Sequence, residues 1–414
     1  MDLFLICAFW SAASITLYTY VGYPLWIYLQ SRLWPHPWRQ ATAEPTVSAI
    51  LVVHNGAFLL RQRIDQLLLL DYPRAQIEFI VVSDGSTDDT NRILKGYPEI
   101  KSIFLPKRHG KAAALNAAMR KATGEILVFV DIRPQIEGKA LQILVSNFAD
   151  PEVGCVTGEV ILHDDGHDPA TKAVGSLYWR YEQWIRKCES KIDSPIGVYG
   201  GFYAVRQKLA CTLPEVTVLD DMLQPLSVIR QGYRSVVDAR VHVHDVWPKS
   251  MHGEFHRKVR TLAGNFQLLQ LAPWLLSREN RLRFEFISHK LLRLVIPLLL
   301  VVVLVTSSML AGRARFYEAV LAAQLILYTF AVLGEWRGVA SLAKISGAAR
   351  AFLIMNAAVI VGFCKFLFTD GPLWKIWNPT APLLDAHSTG NLDAPLEEVG
   401  VNLAVEPISG KKID

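Results

Sequence analysis

The sequence has few cysteines, and none of them belongs to a paired motif. Five are spread over 414 residues: Cys7, Cys155, Cys188, Cys211 and Cys364. Because the number is odd and no two have C-x-x-C spacing, the sequence indicates neither a disulfide framework nor a zinc site. The charges are also nearly balanced, with a formal net charge of +5. This balance gives no support for nucleic-acid binding.

The N-terminal stretch has no charged side chain between residues 3 and 30. Such a run exceeds the apolar segment of about 7–15 residues in a signal peptide and reaches the roughly 20 residues needed to cross a bilayer. Asp2 stands where a signal peptide would carry Lys or Arg. We therefore predict a retained membrane helix within residues 1–33. Arg32 and Arg39 follow the uncharged run, so the positive-inside rule predicts that the downstream domain faces the cytoplasm.

Residues 45–270 have a more ordinary composition, in which short aliphatic runs alternate with helical patterns. This alternation predicts an α/β domain with a parallel core. The predicted strands are Val47–Val53, Ile77–Val82, Ile103–Leu105 and Ile126–Val130, and the predicted helices are Leu59–Leu70 and Gly110–Ala122. Ligands of such sheets collect beyond the carboxyl ends of the strands, which is where Asp84 and Asp131 fall.

The C-terminal third returns to long apolar runs. After an interfacial segment over 271–290, we predict membrane helices within 291–370 and a loosely ordered tail over 371–414. The candidate helices are Leu294–Gly312, Ala319–Gly334 and Ala351–Cys364. The last is short for a span, so it is tilted, re-entrant or longer than the uncharged run.

The number of C-terminal crossings stays open. Three crossings would place the tail outside the cell, whereas two or four would leave it in the cytoplasm. Trp374 and Trp377 are predicted to anchor the last helix at the membrane interface.

Five acidic or basic residues are candidates for catalysis or ligand binding. Asp84, at the end of a strand, would accept hydrogen bonds from a nucleoside, or it caps the next helix. Lys111 follows a glycine-containing turn and would meet a phosphate; a solvated basic turn is the alternative. Asp131 directly follows another strand, where burying a carboxylate without a partner would cost free energy. The adjacent carboxylates of Asp220 and Asp221 repel each other, which raises one pKa towards the range of a general base; helix capping is the alternative.

Taken in order, these motifs resemble those of family 2 glycosyltransferases with the GT-A fold, the group that includes cellulose, chitin and hyaluronan synthases. The resemblance runs from about residue 45 to 270. It rests on the segments 81–88, 110–116, 128–131 and 219–221, and on Gly232-Tyr233-Arg234 after the acidic pair.

The resemblance implies an inverting hexosyltransferase that uses a nucleotide sugar, with a UDP-sugar expected. The acceptor would be a polysaccharide or a lipid-linked saccharide in envelope or exopolysaccharide synthesis. Asp84 would bind the nucleoside, Lys111 would lie near the donor, and Asp131 would be the first carboxylate of the metal-binding Asp-x-Asp motif. Asp221, beside Asp220, would be the general base.

Two departures from the family pattern affect these roles. Arg133 replaces the second carboxylate of Asp-x-Asp; it does not ligate a metal but is able to contact phosphate. The requirement for Mg²⁺ or Mn²⁺ is therefore left open. The Gln-x-x-Arg-Trp motif of processive synthases is absent, and Arg257 and Arg260 stand in its place as candidate ligands of the donor diphosphate.

Aromatic and glycine residues suggest where an acceptor binds. Trp179, Tyr199 and Gly200 are candidates for an acceptor pocket, since sugar faces pack on aromatic rings; core packing or a tight turn is the alternative. His242 and His244 alternate as on a strand, and a structural role is favoured over a metal site.

Three functions remain open at this point. The first is limited transfer by an enzyme of the cytoplasmic (inner) membrane, with the bilayer and envelope-assembly subunits as partners. The second is a processive synthase that secretes its own polymer. The third is a catalytically silent membrane scaffold, which the joint presence of Asp84, Lys111, Asp131 and Asp221 argues against.

Overall fold

The computed structural model describes residues 2–163, 169–246, 251–333 and 343–376. Its centre is one mixed sheet, which has eight strands in the described ranges. In chain order they are β1 (Val47–Val53), β2 (Ile77–Asp84), β3 (Ile100–Leu105), β4 (Ile126–Val130), β5 (Gln135–Ile136), β6 (Val153–His163), β7 (Phe202–Arg206) and β8 (Arg234–Val246).

The spatial order of the strands is β3-β2-β1-β4-β7-β6-β8-β5. The first four are parallel to one another, as the sequence predicts. β7 then runs antiparallel to both β4 and β6, while β6 and β8 are parallel. Strand β4 is buried along its whole length, which explains its uninterrupted aliphatic sequence, since a strand covered on both faces has no polar side.

Helices cover both faces of the sheet and form the membrane part. The helices of the described residues are α1 (Asp2–Leu17), α2 (Tyr23–Leu33), α3 (Ala57–Leu68), α4 (Thr90–Leu94), α5 (Lys111–Met119), α6 (Ala140–Ser146), α7 (Pro169–Ile192), α8 (Asp220–Arg230), α9 (Met251–Leu271), α10 (Arg283–Phe286), α11 (Leu292–Leu310), α12 (Arg315–Leu333) and α13 (Ala343–Phe368). A π-helical turn over Tyr18–Gly22 joins α1 to α2, and another over Ile287–Leu291 joins α10 to α11. A 3₁₀ turn over Leu373–Ile376 follows α13.

The sheet separates two apolar clusters. On one face, buried side chains of α5 and α8, such as Leu115 and Leu226, pack with those of β2 and β4. On the other face, α3 and α6 contribute Leu60, Ile64 and Leu144. This three-layer arrangement confirms the predicted α/β fold and brings the N-terminal ends of α5 and α8 to the same edge of the sheet.

Among the described residues, four helical segments are long and apolar enough to cross a membrane: Asp2–Leu33, Arg283–Leu310, Arg315–Val332 and Ser346–Phe368. Helix α1 packs against α11 and α12, where Phe9 meets the ring of Tyr317 edge-on at 5.0 Å. Asp2 forms an ion pair with Arg313 at 3.1 Å. The N-terminus therefore lies at the same end of the helices as the turn between α11 and α12.

A buried group of charged side chains connects the membrane helices to α7. Glu182 of α7 accepts from Lys290 at 2.7 Å and from Arg293 at 2.6 Å. His289 lies between Glu182 and Glu189, at 3.1 and 2.6 Å. Burial alone would raise the pKa of Glu182, but the surrounding cations hold it well below its ordinary value. Removing one of these charges would leave its partners buried and unpaired, so this group fixes α7 against the membrane helices.

Helix α13 lies along α9 of the catalytic domain. A Cβ on Gly362 would stand 3.1 Å from the backbone nitrogen of Ala263, so the two helices cross closely. Phe363 packs against Phe266 with ring centroids 5.0 Å apart. The predicted third apolar segment is therefore a longer helix than its uncharged run. The predicted domain boundaries stay predictions, and the tail from residue 377 onward lies outside the described residues.

Candidate active site

Lys111 occupies the centre of a cluster of carboxylates. It is the first residue of α5, and its Nζ lies 3.0 Å from Oδ1 of Asp131 and 3.2 Å from Oδ2 of Asp220. Burial lowers the pKa of Lys111, but the carboxylates of Asp131, Asp220 and Asp221 more than offset this effect and raise it above its ordinary value. The structure thus brings together four residues that are separated by up to 110 positions in the sequence.

Asp220 and Asp221 are the first two residues of α8, where the helix dipole stabilises negative charge. Asp220 is buried, with 5% of its surface exposed. Burial, with the neighbouring charge of Asp220, raises the pKa of Asp221 to about 6, although Lys111 and Arg186 partly oppose the shift. A carboxylate with this pKa is ionised near neutral pH and is still basic enough to accept a proton.

Gly200 leaves the space that the carboxylate of Asp221 occupies. A Cβ on Gly200 would stand 3.0 Å from both Cβ and Oδ2 of Asp221. The same turn is tied to α8, because the N–H of Val198 donates to the carbonyl oxygen of Asp221 at 3.0 Å. Gly200 therefore acts on the position of Asp221.

Asp84 shapes the loop that leads into α5. Its buried carboxylate accepts hydrogen bonds from the backbone N–H groups of His109 at 2.7 Å and Gly110 at 2.8 Å. The local capping contact belongs to Asp88, whose Oδ1 accepts from the N–H of Thr90 at 3.0 Å. Asp84 thus positions the turn before Lys111, and its predicted contact with a nucleoside stays a prediction.

Trp374 is a neighbour of the site that sequence reasoning missed. A Cβ on Gly110 would stand only 2.7 Å from Nε1 of the Trp374 indole. Gly110 also has a positive φ of 97°, which residues other than glycine rarely adopt. The guanidinium of Arg108 stands over the indole ring at 4.9 Å. The ring packs on the loop that Asp84 holds, and the predicted role of Trp374 as a membrane anchor stays a prediction. Trp377 lies outside the described residues.

Arg133 forms an ion pair with a carboxylate of strand β8. Its Nε and Nη2 donate to the two oxygens of Asp245 at 2.8 and 2.7 Å. Tyr199 also donates its hydroxyl to Asp245, at 2.8 Å. Asp245 was not among the predicted site residues, although it follows two alternating histidines on β8. The guanidinium of Arg133 keeps 41% of its side-chain surface exposed, and its predicted contact with phosphate stays a prediction.

The side chains near Asp131 do not fit a divalent-cation site. The amine of Lys111 forms an ion pair with one oxygen of Asp131, and Arg133 replaces the second carboxylate of the Asp-x-Asp motif. Within the part of the chain that the structure describes, no cluster of three or more His, Cys, Asp or Glu side chains is placed to hold a metal ion. His242 and His244 both contact Glu137, at 3.3 and 3.0 Å.

The two predicted arginines of α9 differ in their surroundings. Arg257 donates to both oxygens of Glu254 at 2.8 Å, one turn earlier on the same helix. Arg260 faces the acidic pair: burial lowers its pKa, and the charges of Asp221 and Asp220 oppose that shift. Arg260 therefore adds positive charge close to the proposed base.

Trp179 and Tyr199, two of the three predicted acceptor residues, line one cleft. Gln183, Arg186 and Lys187 of α7 share its wall, together with residues of β6 and β8. Arg186, in the wall of this cleft, lies close enough to Asp221 for its charge to oppose the rise in the pKa of that carboxyl.

Comparison with known proteins gives a consistent result. The sequence model of glycosyl transferase family 2 matches residues 48–211. The poly-β-1,6-N-acetyl-D-glucosamine synthase of Staphylococcus epidermidis is 29% identical over 116 residues, which are 27% of this chain and 28% of that protein. An N-acetylglucosaminyltransferase of Rhizobium meliloti is 25% identical over 245 residues, 55% of this chain and 57% of that protein. The matches thus span less than two thirds of either relative.

A solved structure extends the likeness over most of the chain. It is the mannosyltransferase of Pyrobaculum calidifontis in complex with GDP-Man and Mn²⁺, with 25% sequence identity and a TM-score of 0.65. The superposition covers 86% of this chain and 98% of that one. Together with the motif order and the mixed sheet, these matches lead to one conclusion: residues 48–211 match glycosyl transferase family 2, and the domain that contains them has the GT-A fold of glycosyltransferases.

Proposed function

We propose that this protein is a membrane-bound, inverting glycosyltransferase that moves a hexosyl unit from a nucleotide sugar to a hydroxyl group of a saccharide or lipid-linked acceptor. The observation that carries the proposal is the cluster in which Lys111 lies 3.0 Å from Asp131 and 3.2 Å from Asp220, next to Asp221, a carboxylate whose pKa is raised to about 6. The match of residues 48–211 to glycosyl transferase family 2 supports the same reaction class.

The chemistry follows from these positions. Asp221 accepts the proton of the acceptor hydroxyl while that oxygen forms a bond to the anomeric carbon of the donor. The bond from this carbon to the diphosphate oxygen breaks in the same step, and the nucleoside diphosphate leaves with the bonding electrons. A single displacement on the opposite face inverts the anomeric centre. Lys111 and Arg260 stabilise the negative charge of the leaving group in this proposal.

We propose a UDP-sugar as donor, with UDP-N-acetylglucosamine as the first candidate. The support is that two relatives of this chain are named for N-acetylglucosamine. GDP-mannose is the alternative, because the mannosyltransferase whose structure matches 86% of this chain was solved with GDP-Man. No step of the proposed reaction runs through a metal ion, since the residues around Asp131 do not fit one.

We further propose that the chain crosses the cytoplasmic membrane three times, through the N-terminal helix, α11 and α12. Helix α13 packs on α9 of the catalytic domain, and Trp374, six residues after its end, rests on the loop before α5. Its other side exposes large apolar residues, among them Ile360, Leu367 and Phe368. An apolar face on a helix held against the domain suits the membrane surface.

A topology experiment tests this arrangement. Green fluorescent protein fused to the C-terminus of the full chain should fluoresce, since the tail is then cytoplasmic. A cysteine at Gly312, in the turn after α11, should react with an impermeant maleimide added to intact cells, in a chain whose own Cys7 and Cys364 are replaced by serine. A dark fusion together with a labelled Gly312→Cys would mean that α13 crosses as well.

The test of the enzyme itself uses purified protein in lipid with native membrane extract as acceptor. Nucleotide release is measured over a panel of UDP- and GDP-sugars. We expect release with one donor, lowered by about 10²–10⁴-fold in Asp221→Asn, while Asp71→Asn, at an exposed carboxylate outside the cluster around Lys111, has no effect.

The same assay separates the alternative functions. Products longer than one added sugar from a single encounter would favour the processive synthase. Binding of nucleotide without release of product from any donor would favour the silent scaffold. Full activity only after envelope proteins are added would point to partner subunits.

A further inference from the structure

Arg133 is held by a carboxylate that the cluster around Lys111 does not use. Its Nε and Nη2 donate to the two oxygens of Asp245 at 2.8 and 2.7 Å, a fork in which two parallel N–H groups meet one carboxylate. The same carboxylate accepts from the hydroxyl of Tyr199 at 2.8 Å and from the backbone N–H of Val246 at 2.9 Å. These four hydrogen bonds fill the acceptor capacity of Asp245, so its role lies inside the protein and not in binding a ligand.

The ion pair presents its cation to solvent and shields its anion. Only 5% of the side-chain surface of Asp245 is exposed, against 41% for Arg133. A guanidinium has five N–H groups, and the fork uses two of them, so three remain for another ligand. Two of these three belong to Nη1, which has no hydrogen-bond partner within the described residues. The exposed part of the pair is therefore a planar donor whose orientation is set by Asp245.

The guanidinium of Arg133 belongs to the surroundings of Lys111. Asp131, which forms the 3.0 Å ion pair with Lys111, precedes Arg133 by two positions. Lys111 and Asp131 have 39% and 42% of their side-chain surface exposed, so all three side chains are open to solvent. Burial lowers the pKa of Arg133, but the charge of Asp245 and, more weakly, that of Asp131 raise it above its ordinary value. Two cations thus act on the same exposed carboxylate at the end of β4.

The sheet brings the two partners of the fork together. Strand β5 begins two residues after Arg133 and pairs with β8, where Gln135 lies opposite His244. His244 directly precedes Asp245 in the chain, so this pairing sets the position of Arg133 relative to the carboxylate. The fork therefore follows from the strand register and needs no ligand to form.

We infer that Asp245 and Tyr199 are positioning residues that hold Arg133 as an oriented cation for the diphosphate of the donor, at the position where the family pattern has a metal-binding carboxylate. The inference rests on the proposed transferase function. Arg133 would donate to the diphosphate from Nη1 and Nη2, whereas Asp245 and Tyr199 act only through Arg133. Tyr199, predicted from the sequence as an acceptor residue, then serves the donor.

The experiment measures nucleotide binding to the full-length protein in lipid nanodiscs. UDP, with GDP in parallel, is titrated by calorimetry in the presence of EDTA, so that no divalent cation takes part. Arg133→Lys keeps the charge but loses the planar fork, and we expect the Kd to rise by about tenfold. Asp245→Asn should also raise the Kd by about tenfold. Tyr199→Phe, which removes one hydrogen bond to Asp245, should raise it by about threefold.

A double-mutant cycle separates positioning from a general structural effect. If Asp245 acts through Arg133, adding Asp245→Asn to Arg133→Met should weaken nucleotide binding no further. The matched control is Asp193→Asn, because Asp193 accepts a similar fork from Nε and Nη2 of Arg281, at 2.8 and 2.9 Å, outside the cluster around Lys111. This variant should bind nucleotide as the wild type does.

Wild-type affinity in Arg133→Lys, or an additive loss in the double variant, would overturn the inference. Tighter nucleotide binding by Asp245→Asn would also overturn it, since Asp245 would then compete with the diphosphate for Arg133. If thermal melting shows that Asp245→Asn is not folded, Arg133→Lys and Tyr199→Phe decide the question. A wild-type protein that binds neither nucleotide and releases none from any donor would instead contradict the proposed function.

Discussion

The amine of Lys111 lies 3.0 Å from Oδ1 of Asp131. One residue begins a helix and the other follows a strand, and the parallel order of β1, β2 and β4 brings them to the same edge of the sheet. Because the carboxylates around it raise the pKa of Lys111, its amine stays charged at physiological pH. We expect the diphosphate of a bound donor to form an ion pair with this amine.

Replacing Lys111 with Met tests that role. The variant keeps the length of the side chain but removes the charge, so the leaving diphosphate loses a stabilising partner. We expect kcat to fall by about 10²–10³-fold, measured as release of nucleoside diphosphate. Lys95→Met, at an exposed position after α4, serves as the control. Equal rates for both variants would exclude Lys111 from catalysis.

The pH dependence follows from Asp221. Only its ionised form accepts a proton, and its pKa is raised to about 6 by burial and by Asp220. We therefore expect kcat/KM to increase with pH up to and through about 6 and then to level off. Asp220→Asn removes the neighbouring negative charge, so the acidic limb should move to lower pH by about one unit. A profile that is flat from pH 5 to 8 would argue against Asp221 as the base.

Gly200→Ala should impair catalysis through Asp221. The added methyl group would stand 3.0 Å from Oδ2 and Cβ of Asp221, so the carboxylate must shift. We expect kcat to fall by about 10–100-fold, since small displacements of a catalytic group are costly. Gly138→Ala is the control, because nothing lies within 4 Å of the Cβ position there. Steady-state kinetics of the two variants, with thermal melting to check folding, decides the question.

Metal dependence is testable at Arg133. Because Lys111 and Arg133 stand where a cation and its second ligand would be, we expect EDTA to lower the transfer rate by less than about twofold. Arg133→Asp restores the Asp-x-Asp spacing, and its Mn²⁺ binding, followed by electron paramagnetic resonance, should exceed that of the wild type. Complete loss of wild-type activity in EDTA, restored by Mn²⁺, would show that a metal is required.

Trp374 should influence donor binding although it lies far along the chain. Its ring supports Gly110 and Arg108 on the loop that leads to Lys111. We expect Trp374→Ala to weaken binding of UDP by about tenfold, since the loop loses an aromatic and a cation–π contact. Trp374→Phe should retain most of the affinity. Calorimetric titration of both variants in lipid nanodiscs would show this difference, and equal affinities would limit Trp374 to a structural role.

Much of the catalytic domain was predictable because its signals are local. The run Ile126–Val130 is a buried strand as predicted, and β1 has the predicted bounds. Strand β3 begins at Ile100, three residues before the prediction, because its exposed Lys101 interrupts the apolar pattern. The pairing of Arg133 with Asp245 was not predictable, since 112 positions separate them and nothing in either segment indicates the other.

The sequence by itself determined the membrane helices, the α/β pattern and the acidic and basic residues at the ends of its elements, because these depend on neighbours within a few positions. Only the tertiary structure decided which of those residues meet. It placed Lys111 between Asp131 and Asp220, turned Arg133 towards Asp245, and brought Trp374 back to Gly110. Such contacts join distant segments, and they depend on how the sheet orders its strands and on how α13 packs against the domain.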